Sequence, residues 1–308
     1  MNRGRRDALK VVAGGAALLA SPRLAWGGGG GGSLRLVFYS DVHARTEWDT
    51  PLALAQAADA INRIEADLVL CGGDLVTDGF QAPSEAAMAP RWDAYMAFHN
   101  AIEGDVHCAL GPHDMVAADP DDGSPASPDP RAVFRERLGL AKTYYSFDAR
   151  GYHVIILDSI QISGDEYRFH GLIWPEEMAW LERDLARVAK QTPIIVVTHI
   201  PLLTSFYGAT DGATATARPN RVVVNNVELL ALFKGHKLHL VLQGHMHVKE
   251  MIRWRETTFI TGGALSGKWW RGAWHGTDAG FTVVTLANDR IEWDYVEYGW
   301  RARRPPNQ

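Results

Sequence analysis

Six short apolar runs recur along the first four-fifths of the chain, and polar residues follow each of them. The runs are rich in Val, Ile and Leu and lack a polar residue at every second position, which is typical of strands buried on both faces. Segments with the apolar spacing of helices lie between several of these runs. The clearest begins at Thr50-Pro51, where a capping residue precedes a proline. This alternation predicts an α/β domain with parallel strands. The runs are residues 34–39, 67–71, 106–110, 153–157, 194–198 and 238–243.

The pattern changes in the last quarter of the chain. Residues 257–261, 280–286 and 290–298 are strand-like, and Asn288-Asp289 forms a predicted turn between the last two. No helical pattern lies between these runs. We therefore expect the sheet, or a second sheet packed on it, to finish with antiparallel strands.

The two ends of the chain differ from this body. Arg5-Arg6 begins a basic segment that leads into a weakly apolar stretch and then six glycines. This layout is that of an export signal, and the arginine pair resembles a twin-arginine signal. A disordered basic tail is the alternative. We predict an export signal over 1–26, a Gly-rich linker over 27–33, a catalytic domain over 34–300 and a flexible tail over 301–308.

Export would place the mature protein in the periplasm or outside the cell, with the export machinery for folded proteins as a partner. The chain carries 36 acidic and 31 basic residues, and its net charge of -5 argues against a broad nucleic-acid surface. No apolar run reaches the roughly 18 residues of a membrane span. Cys71 and Cys108 fall in neighbouring predicted strands, where buried free thiols are favoured over a disulfide.

Asp and His residues follow five of the six apolar runs, at the carboxyl edge of the predicted sheet. Ligands bind at this edge in open α/β sheets. Each residue alone has an ordinary explanation as a turn or a hydrogen-bonded structural group, but their convergence on one edge does not. Imidazole and carboxylate together suit first-row divalent metals, and several ligands per ion allow two ions about 3.5–4 Å apart. The candidates are Asp41, His43, Asp74, His113, Asp114, His199, His245 and His247.

The order of these motifs resembles the calcineurin-like metallophosphoesterases, in their exported, non-purple branch, over about residues 34–250. The motifs are Asp41-x-His43, Gly73-Asp74, Gly111-x-His113-Asp114, a strand followed by His199, and Gly244-His245-x-His247. The resemblance implies an α/β fold of two sheets flanked by helices, an α-β-β-α sandwich. It also implies a phosphoric ester hydrolase with two divalent first-row ions, which would be Mn, Fe, Zn or Ni.

The resemblance further implies a role for each residue. Metal-bound hydroxide would attack phosphorus, while His113 assists the leaving group or stabilises the phosphoryl oxygens and Asp114 orients His113. Asp74 would bridge the two ions. The first ion would bind Asp41, His43 and His247, and the second would bind His199 and His245.

Pro112 is the main departure from the family pattern. Relatives have Asn at this position, and the amide oxygen of that Asn binds the second metal, whereas proline has no side-chain oxygen. We therefore expect a weaker second site, or one completed by water or by another side chain. Asp78 and Asp119 are candidates for that side chain.

Two further departures concern the neighbours of the ligands. Thr77 stands where purple acid phosphatases have Tyr, and His43 stands where they have Gly, which favours the non-purple branch. Ile200 follows His199 where many relatives have a second His. This leaves the usual phosphate contacts unassigned.

The expected substrate is a small phosphorylated molecule. A phosphodiester is mildly favoured over a phosphomonoester, because no extra arginine lies within the motifs to offset a dianion. The alternative is a non-catalytic protein that binds a metal or a phosphorylated ligand. Pro112 is the reason to consider it. A nuclease is a third interpretation, and the acidic net charge argues against it.

Tryptophan is concentrated near the end of the chain. Trp269 and Trp270 adjoin Lys268 and Arg271 in a long segment without regular pattern, and such segments in compact domains are often functional. We consider Trp269, Trp270 and Arg271 candidates for substrate binding, with packing in a second core as the alternative. For Trp254, Trp293 and Trp300 we favour core packing.

Overall fold

The central strands of the fold are short and buried on both faces, as β1 illustrates. Leu36 and Phe38 of β1 pack into one apolar cluster, whereas Val37 and Tyr39, which alternate with them, pack into another. All four are fully buried. A strand with apolar neighbours on both faces has no reason to alternate with polar residues. This explains the continuous apolar runs of the sequence.

The structure is a computed structural model that describes residues 33–287 and 289–302. The predicted export signal, all but the last residue of the predicted linker, and the end of the predicted tail lie outside these residues. The helices are α1 (Thr50–Asn62), α2 (Glu85–Ala101), α3 (Ala132–Leu138), α4 (Pro175–Leu185), α5 (Phe206–Thr210) and α6 (Asn226–Leu232). The strands are β1 (Leu34–Tyr39), β2 (Leu68–Cys71), β3 (Val106–Cys108), β4 (Tyr145–Ala149), β5 (Tyr152–Ile156), β6 (Ile160–Ile162), β7 (Phe169–Gly171), β8 (Pro193–Thr198), β9 (Lys237–Gln243), β10 (Lys249–Trp254), β11 (Thr257–Gly262), β12 (Gly280–Ala287) and β13 (Arg290–Glu297).

Two sheets carry the fold. The first has the strand order β13-β12-β1-β2-β3, and the second has the order β10-β11-β9-β8-β5-β4. In the first sheet β1, β2 and β3 are parallel, and β12 and β13 extend one side of it in antiparallel pairing. In the second sheet β11, β9, β8 and β5 are parallel, and the edge strands β10 and β4 are antiparallel to their neighbours. A separate hairpin pairs β6 with β7.

The apolar residues form the two layers expected of a sandwich. One cluster joins side chains from both sheets, among them Phe38, Val197 and Leu242, and therefore lies between the sheets. The other joins the opposite faces of the strands to helix residues such as Trp92 and Leu181. Helices thus cover the outer faces, which confirms the predicted α-β-β-α sandwich.

The C-terminal strands correct one detail of the prediction. β12 and β13 are antiparallel to their neighbours, as expected. β11 was expected among the antiparallel strands, but it pairs in parallel with β9. The reason is β10, a strand that the sequence pattern did not predict. β10 runs antiparallel to β11 in a hairpin, so that the chain has turned back by the time β11 pairs with β9.

Several side chains outside the site test the prediction of the core. Cys71 and Cys108 are register partners on β2 and β3, and both are buried and free, as predicted. Trp293 and Trp300 pack against the core, as expected. Trp254 does not: it ends an edge strand and is 59% exposed. Within the described residues, no helix is long and apolar enough to cross a membrane.

Candidate metal centre

The candidate ligands lie in the loops that follow four parallel strands. β1 and β2 of the first sheet precede Asp41, His43 and Asp74, whereas β8 and β9 of the second sheet precede the other three. Backbone hydrogen bonds join the loops, because the amides of Asp41 and His43 donate to the carbonyls of Gly73 and Asp74. The carboxyl ends of both sheets therefore meet at one buried point.

The first triad consists of Asp41, His43 and His247, whose ligand atoms lie within 4.8 Å of one another. The Nε2 atom of His247 is 3.2 Å from Asp41 Oδ1 and 3.1 Å from the Nε2 atom of His43. All three residues are buried. Two imidazoles and one carboxylate in this arrangement form a donor set for a first-row divalent ion.

The second triad consists of Asp74, His199 and His245, again with ligand atoms within 4.8 Å of one another. The Nε2 atom of His199 is 3.3 Å from Asp74 Oδ2 and 3.2 Å from His245 Nδ1. The same Oδ2 atom of Asp74 is 3.6 Å from the Nε2 atom of His43 in the first triad. One carboxylate oxygen thus faces both triads.

Backbone carbonyls fix the orientation of the imidazoles. The Nδ1 atoms of His199 and His247 lie 2.7 and 2.6 Å from the carbonyl oxygens of Gly72 and Gly267, so that each Nδ1 donates and, in the neutral ring, each Nε2 keeps a lone pair. Metal-bound histidines usually have such a partner on the other ring nitrogen. The lone pairs of both Nε2 atoms point into the centre.

Asp41 shows most directly that the pocket fits a cation. Its Oδ2 atom accepts hydrogen bonds from Ser40 Oγ at 2.6 Å and from the amide of His245 at 3.0 Å. Its Oδ1 atom is buried and has no hydrogen-bond partner, although it faces the imidazoles of the first triad. A buried carboxylate oxygen without a partner is costly, and a bound cation would remove that cost.

The charges of the centre shift the pKa values of its members in opposite directions. Burial opposes ionisation of Asp41, but the adjacent imidazole of His247 holds the pKa of that carboxyl below its ordinary value. Burial likewise disfavours the charged form of His199, yet the adjacent Asp74 carboxylate raises its pKa to about 9. Burial lowers the pKa of His43 and of His245, and in His245 the neighbouring His199 adds to this effect. Without a metal, protonated His199 is therefore the partner of Asp74.

The backbone is strained at the ligands themselves. Five of the six ligand residues have a positive φ between 47° and 69°, the left-handed region that residues with side chains seldom adopt. Each such residue costs on the order of 1 kcal/mol or more, and such strain is concentrated at functional sites. The five are Asp41, His43, Asp74, His245 and His247.

Asp114 corrects one expectation, because its carboxylate is committed to backbone groups and does not orient the ring of His113. Its two oxygens accept the amides of Asp74, Leu75, Val76 and Gly111 at 2.6–3.2 Å. Asp114 therefore holds the loop that carries Asp74. A side chain at Gly111 would clash with this loop, since an added Cβ would lie 2.2 Å from Asp74 Oδ1.

His113 lies beside the two triads and is partly exposed. Its ligand atom lies within 4.8 Å of His43 and Asp74, and its ring meets the ring of His43 edge-on with centroids 4.8 Å apart. The amide of Asp78 donates to its Nδ1 atom at 3.0 Å. The position agrees with a contact to a bound substrate, and the hydrogen bond assigns Nδ1 as the acceptor.

The residues considered as substitutes for the missing Asn do not reach the second triad. Asp78 Oδ2 pairs with Arg91 and Arg45, and the carboxylate of Asp119 pairs with Arg168. Both carboxylates are about half exposed. Neither belongs to a cluster of potential metal ligands among the described residues. Pro112 leaves the second triad with three protein ligands.

Two neighbours that separate the chain from the family pattern are also buried. Ile200 is part of the core and offers no polar atom to a substrate. Thr77 is buried, and its hydroxyl accepts a hydrogen bond from Arg45 at 3.2 Å. The assignment to the non-purple branch, which depends on Thr77 and His43, stays a prediction.

The three predicted substrate contacts lie in different environments. The ring of Trp269 lies 4.3 Å from that of His247, centroid to centroid, and is partly exposed. Trp270 is only 2% exposed, and its indole nitrogen donates to the carbonyl of His43, so that it supports a ligand loop from inside the core. Arg271 lines a separate cavity of about 280 Å³ with Trp300 and Arg301. Of the three, Trp269 is the one whose ring lies against the ring of a triad residue.

Arg221 is a site residue that the sequence analysis missed. One of its guanidinium nitrogens lies 3.4 Å from His245 Nε2, which itself lies 3.0 Å from the carbonyl of Asn220. Arg221 follows the long segment at 203–220 and belongs to none of the motifs. Only the position of that segment, after the strand that ends at His199, could have indicated it.

Comparison with solved structures supports the fold. A dimetal phosphatase from Danio rerio superimposes with a TM-score of 0.63 at 16% identity, covering 85% of this chain and 95% of that one. GAP50, described as the anchor in the inner membrane complex of Plasmodium, gives 0.54 at 17% identity, with 88% and 87% covered. The purple acid phosphatase PPD1 from yellow lupin gives 0.52 at 16% identity, with 87% and 52% covered.

Comparison of sequences identifies the family. Purple acid phosphatase 23 from Arabidopsis thaliana is 26% identical over 181 residues, a match that takes in 55% of this chain but only about a third (34%) of that protein. The profile of the family described as calcineurin-like phosphoesterase matches residues 34–249, which include every residue of both triads. The chain belongs to the calcineurin-like phosphoesterase family.

Proposed function

We propose that the protein is a metal-dependent hydrolase of phosphate esters. One observation carries this proposal: two triads of buried metal ligands face the same carboxylate oxygen, Asp74 Oδ2. Asp41, His43 and His247 would hold one divalent ion, and His199 and His245 would hold a second that shares Asp74. Two divalent ions held in this way would lower the pKa of a water molecule bound to them. They would also offset the negative charge of a phosphate during an in-line displacement.

The shared carboxylate gives the sharpest test. Asp74→Asn keeps an oxygen that can accept the amide of His113, a bond that Asp74 Oδ1 makes at 2.9 Å, but it removes the charge between the triads. We expect the wild type to bind about two equivalents of Mn or Zn, and the variant to bind fewer and to lose on the order of 100-fold or more of its activity. Metal content by mass spectrometry and hydrolysis of p-nitrophenyl phosphate measure both effects.

Asp93→Asn is the matched control, because Asp93 is exposed on α2 and pairs with Arg137 away from both triads. The same measurement decides between the enzyme and the alternative of a non-catalytic binding protein, which the three-ligand second triad favours. One equivalent or none in the wild type, without turnover under any of the four metals, would support the binding protein and refute the hydrolase.

His113 would donate a hydrogen bond to the phosphate and keep its proton. Because the amide of Asp78 donates to Nδ1, the neutral ring carries its hydrogen on Nε2. Loss of that hydrogen would leave an anionic ring, which is a poor state for a proton donor in catalysis. The hydrogen bond therefore favours stabilisation of a phosphoryl oxygen over protonation of the leaving group, both of which the sequence left open.

The dependence on the leaving group separates these two roles. We expect His113→Ala to lower kcat about 10- to 100-fold for p-nitrophenyl phosphate and by the same factor for phenyl phosphate, since a hydrogen bond to a non-leaving oxygen serves both equally. Steady-state kinetics with the two substrates measure the factors. A much larger loss with phenyl phosphate, whose leaving group needs a proton more, would instead identify His113 as the general acid.

Arg221 reverses the substrate preference expected from the sequence. The phosphodiester was favoured because the motifs contain no additional arginine, but Arg221 reaches the second triad from outside them. A guanidinium beside the ions would offset the second negative charge of a monoester, which a diester lacks. We therefore propose phosphomonoesters as the preferred substrates.

Arg221→Leu tests this preference. We expect kcat/KM for p-nitrophenyl phosphate to fall about 10- to 100-fold, the usual size of a lost hydrogen bond to a charged group, and kcat/KM for bis-p-nitrophenyl phosphate to change less than about threefold. Arg253→Leu, on the exposed side of β10, is the control. Equal losses with both esters, or a wild type that hydrolyses the diester faster, would contradict the proposal.

We also propose that the protein is exported, on the basis of the sequence of residues 1–26, which lie outside the described part of the chain. The arginine pair at positions 5 and 6 is the support for this proposal. Cell fractionation of the full chain should place it in the periplasm or the medium, and replacement of both arginines by lysine should retain it in the cytoplasm. The same distribution for both proteins would contradict twin-arginine export.

A further inference from the structure

A continuous row of aromatic rings leads away from the first triad. The ring of Trp269 lies 4.3 Å from the ligand His247, and Trp274 follows at 6.2 Å from Trp269. His275 lies 4.5 Å from Trp274, and Phe206 lies 5.0 Å from His275. We call Trp269, Trp274, His275 and Phe206 the aromatic row, and all four distances join ring centroids.

The aromatic row joins two loops that are far apart in the chain. Phe206 begins the short helix α5 after β8, whereas the other three residues lie between β11 and β12. None of the four residues is fully buried, and His275 is exposed. Part of each side chain is therefore accessible to a ligand.

Cationic groups lie near the aromatic row. The ammonium of Lys268 is 5.0 Å from the ring centroid of Trp274, and the guanidinium of Arg221 lies beside His245 in the second triad. Arg221 and Arg218 also influence Tyr207, the neighbour of Phe206: burial raises the pKa of this phenol, and the two arginines oppose that rise. Positive charge therefore lies close to the rings of the aromatic row.

The backbone of the row is held in an unfavourable conformation. Trp269 and His275 have φ values of 45° and 44°, in the left-handed region. Backbone amides and carbonyls keep this segment in place, because Trp274 and Thr277 exchange two hydrogen bonds at 2.8 Å and Lys268 bonds to Gly272. Strain that the surrounding structure maintains is typical of a segment whose side chains must point in a set direction.

From this continuity we infer that the aromatic row is the subsite for the leaving group, and that the preferred substrate is a phosphate ester of an aromatic alcohol or of a group that carries a planar ring. The inference rests on the proposed function, because it takes the phosphate to lie at the two triads. The ring of the substrate would then lie against Trp269 and Trp274, and Phe206 and His275 would border it.

Two substitutions away from the metal ligands test the subsite. Trp274→Leu and Phe206→Leu remove ring faces but leave Trp269, and with it the packing on His247, in place. The probes are phenylphosphonate and methylphosphonate, which differ only in the ring and are not hydrolysed. Calorimetry in the presence of Mn or Zn should show that the wild type prefers phenylphosphonate and that each variant lowers this preference about fivefold to tenfold.

Trp254→Leu is the matched control, since Trp254 is an exposed tryptophan on β10 outside the row. Thermal unfolding and metal content should be the same in the variants as in the wild type, which separates loss of the subsite from loss of the fold. A turnover assay adds a second measurement: kcat/KM for phenyl phosphate should fall in both row variants, whereas kcat/KM for methyl phosphate should not.

The possible results distinguish the two levels of the proposal. If the wild type binds both phosphonates but Trp274→Leu and Phe206→Leu leave the preference unchanged, the aromatic row is not the subsite and the hydrolase proposal stands. If the wild type binds neither phosphonate and hydrolyses neither ester, the proposed function itself is wrong. Loss of affinity for both phosphonates alike would also overturn the subsite, because the ring would then make no separate contribution.

Discussion

The burial of six ionisable side chains at one point is the constraint on which the rest of this structure depends. Removal of a charge from water costs several kcal/mol unless an opposite charge compensates it. Here Asp41 and Asp74 lie among four imidazoles with almost no access to solvent. In the absence of metal, His199 supplies part of the compensation, because the carboxylate of Asp74 raises its pKa to about 9. Divalent ions would supply the rest, and the proton of His199 would have to leave when they bind.

The surroundings of the centre can be understood as support for this burial. Five ligand residues adopt left-handed backbone conformations, and hydrogen bonds from neighbouring loops hold them there. Asp114 accepts the amide of Asp74 and three further amides of the neighbouring loops. Trp270 contributes another hydrogen bond from inside the core. Residues that never meet a metal thus determine where the ligands point.

Much of the fold and of the site could be predicted from the sequence, because the chemistry lies at strand ends. An unbroken apolar run indicates a buried strand, and Asp41, Asp74 and His245 each follow such a run closely. The short edge strands β4 and β10 escaped prediction because partly exposed strands carry no such run. The roles of Asp114 and Trp270 could not be predicted either, since a hydrogen bond to the backbone depends on where the backbone goes and not on residue type.

The residues that we propose as substrate contacts lie outside the motifs. The motifs specify the ligands, and a fold with such ligands can serve many substrates. Arg221 and Trp274 instead come from long loops, where the rigid sheets leave the sequence free to vary. Pro112 lies within a motif, and its side chain offers no oxygen to the second triad. The proposed determinants of specificity and of metal affinity therefore lie in different parts of the chain.

Each triad takes ligands from both sheets: His247 joins Asp41 and His43 across the sandwich, and Asp74 joins His199 and His245. No single sheet can form either triad. A chain in which one sheet had folded and the other had not would therefore contain neither triad in full. Metal content would then report whether the two sheets have docked.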